Sequence, residues 1–216
     1  MEREALKEAV ASLNSSTLDM QGLRRCLNSV KYILLSVTGY SPADWDFIDG
    51  AGRLDTAKRT CFSFMEAYLE DIRSPFNIGA IFRTAESFGA AKIWLSPFCA
   101  DPHHPRAERT AMGCINILSW ERLAALDELT RKKEEGFSLF ALETGGIPLD
   151  TFHFPRKGIL ICGSEELGVS PTALALARSS AGIVTIPTYG AKGSLNVSVA
   201  FGIAMQAWAK FLCRKD

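Results

Sequence analysis

The chain has 216 residues, 47% hydrophobic and 22% charged, which suits one folded domain with a small appendage. Its 24 basic and 24 acidic residues cancel, arguing against a strongly basic nucleic-acid protein while leaving room for a local basic patch. No apolar run is long enough to span a bilayer, and the charged start Met1-Glu2-Arg3-Glu4 has no secretory core.

The six cysteines (Cys26, Cys61, Cys99, Cys114, Cys162, Cys213) form no C-x-x-C pair, and the three histidines complete no zinc spacing. We therefore expect a reducing, cytoplasmic setting, no membrane and no structural metal. Residues 1–60 read as a helical extension. Leu6, Val10 and Leu13 recur at helical spacing, as do Leu23, Leu27, Val30 and Leu34. A break follows at Thr38-Gly39-Tyr40, and Ser41-Pro42 resembles a helix start. Residues 61–216 alternate between short apolar runs and helical patterns. Strands are expected at 62–69, 92–95, 115–118, 137–142, 158–162 and 182–186, and helices at 80–88, 121–135 and 171–177. That alternation predicts an α/β domain: a parallel sheet with helices on both faces and ligands at the carboxyl ends of its strands.

Three loops in this domain carry the chemistry. In the first, Pro75 ends a strand and Asn77 is placed to cap the next helix. Gly79 and Arg83 share a face of that helix, so the space over Gly79 would let the Arg83 guanidinium reach back toward the helix N-terminus and hold an anion there. The plainer alternative pairs Arg83 with Glu86. The second loop, Gly163-Ser164-Glu165-Glu166-Leu167-Gly168, follows a buried strand and precedes a helix start at Ser170-Pro171. Its glycines would let backbone approach a ligand, and Glu165 sits at the strand end; a solvated acidic turn is the alternative. In the third, Ile186-Pro187 leads through glycines to a helix read as capped by Ser194. Ser194, Asn196 and Ser198 place three polar side chains at the start of a helix that is apolar all round and must be buried. Polar groups there are costly without partners. The chain has no G-x-G-x-x-G, P-loop or nucleophile elbow.

Taken in order, these loops resemble the SpoU/TrmH family of the SPOUT superfamily, the S-adenosylmethionine-dependent RNA 2'-O-ribose methyltransferases. The pattern N-x-G-x-x-x-R is met by Asn77, Gly79 and Arg83, and G-x-E-x-x-G by Gly163, Glu165 and Gly168. The third pattern, I-P-x-x-G-x-x-x-S-L-N-V-S, is met by Ile186, Pro187, Gly190 and Ser194 to Ser198. The resemblance covers residues 62–212. It implies a SPOUT domain with a C-terminal trefoil knot, preceded here by the helical extension. It also implies S-adenosylmethionine held through the main chain at Gly163, Ile186 and Leu195, with Thr144 a further candidate. A homodimer would form through the last helix and the first-loop helix; Trp208 and Phe211 suit such an interface, and a plain core role fits them equally well.

Arg83 falls at the family's catalytic position. A guanidinium is too basic to serve readily as a base, so a phosphate grip that acidifies the ribose hydroxyl is the better reading. By the same resemblance, Asn77 and Ser194 orient the ribose and Arg83, Asn196 ties the third loop to the first or to Glu165, and Glu165 fixes these donors. RNA, either tRNA or rRNA, would be met by Arg73, Arg106, Arg109, Lys192 and the loop 110–114. The chain departs from the family at Thr188, where methionine is frequent. A non-catalytic RNA-binding relative and a nucleotide-binding hydrolase are the competing readings.

Overall fold

Side chains alternate along β1 (Phe62–Leu69), sending Met65, Ala67 and Leu69 to one buried face and Glu66 and Tyr68 to the other. A strand buried on both faces needs neighbours on both edges and helices above and below, and the computed structural model provides them. It describes residues 6–7, 10–11, 19–38 and 54–214. Contacts divide the chain into two units, Met1–Phe47 and Ile48–Asp216. In the first, α1 (Met20–Thr38) opens where Asp19 Oδ1 accepts from Gly22 N at 2.7 Å. Leu13 and the helix start read at Ser41-Pro42 lie outside the described residues.

In the second unit, β1 is joined by β2 (Ala90–Leu95), β3 (Ser119–Arg122), β4 (Ser138–Pro148), β5 (Gly158–Cys162) and β6 (Gly182–Thr185). All pairings are parallel and the order is β3-β2-β1-β5-β4-β6. The helices are α2 (Pro75–Ser87), α3 (Pro105–Ala111), α4 (Asp127–Glu134), α5 (Pro171–Arg178) and α6 (Val197–Leu212). One core gathers Leu69, Phe82, Ala107, Phe140 and Trp208, with α2, α3 and α6 on that face of the sheet. The other gathers Tyr68, Leu129, Ile161 and Ala173 under α4 and α5. The expected α/β class and parallel sheet are what the chain adopts. Among the described residues no helix is long and apolar enough to cross a membrane.

Three expectations change. Residues 115–118 are not a strand: Cys114–Asn116 is a 3-10 turn, and buried Ile115 and Leu118 plug the core while β3 begins at Ser119. The helix read over 121–135 starts only at Asp127, because β3 takes the residues up to Arg122 and a short loop, 123–126, follows it. β4 continues to Pro148 through an irregularity between Leu142 and Ile147. Of the two roles open to Trp208, the core role is the one the fold gives it: the side chain is fully buried, its Nε1 donates to Pro155 O at 2.7 Å and its ring meets Phe140 edge to face at 4.7 Å.

Candidate functional site

Parallel strands release their chains at one end, and the segments leaving β4, β5 and β6 enclose a cavity of about 540 Å³. Three devices shape its wall. Gly163 has no side chain because a Cβ there would lie 2.2 Å from the main chain of Gly168. Gly168 takes a left-handed φ of +67° and donates its N–H to Ser164 O at 3.0 Å. These glycines thus close the 163–168 loop on itself: Gly168 occupies the side of Gly163 where a Cβ would stand, while Gly163 still lines the cavity. The third device is Glu143 at the β4 irregularity. Its carboxylate accepts from Thr144 N at 2.8 Å and from Val169 N at 3.2 Å, joining β4 to the loop after β5. The Gly145-Gly146 pair beyond it permits the detour: Gly145 has φ +74°, and a Cβ on Gly146 would meet Ile183 O at 2.5 Å. Glu143 escaped the sequence reading, and this glycine pair is the signal that would have marked the bend.

A relay of three side chains then ties the loops together. The cap of α2 is Ser74, whose Oγ accepts from Asn77 N at 3.3 Å; Asn77, read as the cap, sits one turn inside the helix. Its buried amide is thereby free to donate Nδ2–H to Glu165 Oε1 and to accept from Asn196 Nδ2 at 3.2 Å. Asn196, not Ser194, caps α6, its Oδ1 accepting from Ser198 N at 2.9 Å, Val199 N at 3.4 Å and Ser198 Oγ at 2.6 Å. Each amide uses both of its ends, and the polar groups at the start of the apolar helix find their partners here. Ser194 is exposed in the preceding loop and lines the cavity.

Thr144, Gly163, Ile186 and Leu195 all line the cavity, as does Glu165. Neither Ile186 nor Leu195 commits its main-chain N–H or C=O to a hydrogen bond among the described residues. The wall includes Glu143, Glu165 and Glu166 but no lysine, arginine or histidine. Arg83 is not brought to it. That side chain is exposed, without hydrogen bond or ion pair among the described residues, and Glu86 pairs instead with Arg59 at 3.5 Å. Nor does Gly79 clear a path for it: a Cβ at Gly79 would lie 2.3 Å from Ala107 O, so the glycine serves the close packing of α3 on α2. A second cavity, about 410 Å³, lies on the other side of Glu165 and is lined by Asp71, Arg73, Ser74 and the 164–167 loop. Arg106, Arg109 and Lys192 are exposed, and in the 110–114 loop Met112 and Gly113 both take left-handed φ values, +51° and +88°.

Cys162 forms part of the larger cavity's wall. Burial, reinforced by the nearby carboxylates of Glu143 and Glu165, pushes its thiol up to about 12. The folded chain therefore keeps a proton that the unfolded chain releases above its ordinary value of 9.0. Stability should fall as pH rises from there toward 12. Denaturant midpoints measured across that range should decline less for Cys162→Ala than for the parent; equal declines would refute the assignment.

Such a sheet, with an acidic cavity built from loops at the carboxyl ends of its strands, is of the α/β class in which that end of the sheet is the usual place for a ligand. The chain belongs to the SpoU rRNA Methylase family, which it matches over residues 65–206. It is 34% identical over 148 residues to an uncharacterized tRNA/rRNA methyltransferase of Synechocystis sp., covering 65% of this chain and 53% of that one. It is 26% identical over 144 residues to a 23S rRNA (uridine(2479)-2'-O)-methyltransferase of Streptomyces viridochromogenes, covering 63% and 49%. The chain therefore spans about half the length of these curated relatives. Among solved structures, the SpoU methyltransferase AviRb of the same Streptomyces, in complex with the cofactor AdoMet, shares the fold. Its TM-score is 0.64 and its identity 24%, over 69% of this chain and 60% of that one.

Proposed function

We propose that this chain transfers the methyl group of S-adenosylmethionine to a ribose 2'-hydroxyl of tRNA or rRNA. The observation that carries this is the charge of the larger cavity. Three carboxylates and no basic side chain suit a ligand bearing a sulfonium and an ammonium, and they repel the phosphates of ATP or NAD. A volume of about 540 Å³ is in the range of cofactor sites. The main chain at Gly163, Ile186 and Leu195, with Thr144 beside them, would hold the cofactor. Bound there, it supplies an electrophilic methyl group. Over the reaction an O–CH₃ bond would form on the ribose, the S–CH₃ bond would break to leave S-adenosylhomocysteine, and the hydroxyl proton would pass to solvent water.

The Glu165–Asn77–Asn196 relay fixes the loops around the reacting ribose, and Ser194 orients it. Arg83 grips the adjacent phosphate and lowers the hydroxyl pKa. Because Arg83 lines neither cavity of its own protomer, the reading includes a homodimer through α2 and α6. Exposed Val199 and Ile203 support that face, as does the groove they form with Thr84, the neighbour of Arg83. RNA phosphates are met by Arg73, Arg106, Arg109, Lys192 and the 110–114 loop. The reading also includes the trefoil knot, a functional boundary near residue 60 and a reducing cytoplasmic setting, the last supported by six free cysteines.

The test is transfer of labelled methyl from S-adenosylmethionine to unmodified total RNA. Label that survives alkaline hydrolysis in a dinucleotide is the expected result, since a methylated 2'-oxygen cannot attack its own phosphate. S-adenosylhomocysteine at 100 times its Kd should stabilise the fold by about 2.7 kcal/mol, and ATP should not. Cofactor binding with no labelled RNA of any size class would refute the proposal.

A further inference from the structure

We propose that Phe98 is a stacking platform for an unpaired nucleobase of the RNA substrate, an inference that rests on the methyltransferase reading above. Ser96, Pro97, Phe98 and Cys99 form a turn at the carboxyl end of β2, closed by Cys99 N donating to Ser96 O at 3.3 Å. Pro97 takes the position that favours proline in such turns. At the tip Phe98 is 72% exposed, while Ser96 and Cys99 on either side are buried.

The turn is pinned. Arg122 Nη1 donates to the carbonyls of Ser96 at 2.7 Å, Pro97 at 3.1 Å and Cys99 at 3.1 Å. It is also laced to the chain leaving β1. Ser96 N donates to Leu69 O at 2.9 Å, Ser96 Oγ to Asp71 Oδ1 at 2.6 Å, and Ala100 N to Ile72 O at 2.9 Å. The laced segment runs directly into Arg73, which is exposed and lines the smaller cavity together with Glu165. An aromatic face and a free-standing guanidinium are thus carried on one cross-linked piece of backbone beside the relay.

Leaving a phenylalanine in water forgoes about 1.5–3 kcal/mol of burial. A ring held out on a rigid turn loses little freedom when something settles on it. The occupant follows from the surroundings. Asp71 and Arg122 are engaged within the turn itself, which leaves Arg73 as the exposed cation on this laced backbone, whereas the α2–α6 groove is lined by no charged residue. A flat aromatic next to a cation matches the base and phosphate of a splayed nucleotide. Since every base has a π-face, Phe98 strengthens binding without choosing the base.

The test compares Phe98→Ala, Phe98→Leu and Phe98→Trp with the parent, using the RNA size class that the parent methylates. Steady-state kinetics and fluorescence anisotropy are the two readouts. Phe98→Ala should raise KM and Kd for RNA by about 5- to 100-fold, the loss falling on KM rather than kcat. Phe98→Trp should keep the parent values, and Phe98→Leu should behave like alanine although it is as apolar. The salt dependence of binding should keep its slope in Phe98→Ala and lose about one unit in Arg73→Ala. An unchanged KM in Phe98→Ala, full activity in Phe98→Leu, or a change of oligomeric state as the main effect would each overturn the platform. An active parent with an indifferent Phe98→Ala sinks the platform alone; a parent that methylates no RNA sinks the methyltransferase reading, and the platform with it.

Discussion

Replacing Arg83 with alanine should lower methyl transfer by about 100- to 1,000-fold, the loss typical of removing one preorganised electrostatic partner from a reaction centre. The same substitution should leave S-adenosylhomocysteine affinity unchanged, because Arg83 lines neither cavity. It should leave stability within about 0.5 kcal/mol, since the side chain is exposed and unpaired among the described residues. Arg83→Lys separates two roles: it keeps the charge but loses the planar fork, so recovery of most of the rate would assign the effect to charge alone. Single-turnover rates and calorimetric titrations on the same preparations make the comparison. Parent-like turnover in Arg83→Ala would exclude Arg83 both as base and as phosphate clamp.

The second large effect is expected at Gly163. A methyl group there would lie 2.2 Å from the main chain of Gly168, which itself stands against the Glu143 carboxylate. The loop 164–168 cannot retain its path, and overpacking of this kind costs about 1–3 kcal/mol. Because Glu165 rides on that loop and meets Asn77 across the relay, the displacement reaches both cavities. Gly163→Ala should therefore melt earlier and lose the stabilisation that S-adenosylhomocysteine gives the parent. Gly168→Ala should do the same by a different route, strained at φ +67° and with its Cβ 2.6 Å from Glu143 Oε2. Full ligand-induced stabilisation in Gly163→Ala would show that the loop does not build the cofactor wall.

The sheet was readable where burial made strands unambiguous. β1 and β5 have the boundaries expected of them because both are apolar or alternating runs bounded by clear breaks. β3 was not readable: Ile115 and Leu118 have the composition of a strand but fill the core from a turn, whereas the true edge strand, Ser119–Arg122, is mostly polar. The cap of α2 was misplaced although its signal was present. Ser74-Pro75 is the same start that was read correctly at Ser170-Pro171, and Asn77 two residues later competed with it. Ser194 competed with Asn196 in the same way. Once the nearer residue takes the cap of α2, the buried asparagine is left to a tertiary partner, and local propensity cannot say which one. Gly79 marks the limit most clearly. Sequence shows that its face is open; only the packing shows that α3 fills it.

The relay has a consequence for how this site can vary over time. Glu165 and Asn196 stand 88 and 119 positions from Asn77 in the chain, yet both are its hydrogen-bond partners. A change at Glu165 or Asn196 leaves one end of the buried Asn77 amide without its partner, so substitutions at these positions are expected to couple with one at Asn77. A double-mutant cycle between Asn77 and Asn196 should therefore show a coupling energy of about 0.5–3 kcal/mol, although the two residues stand far apart in the chain.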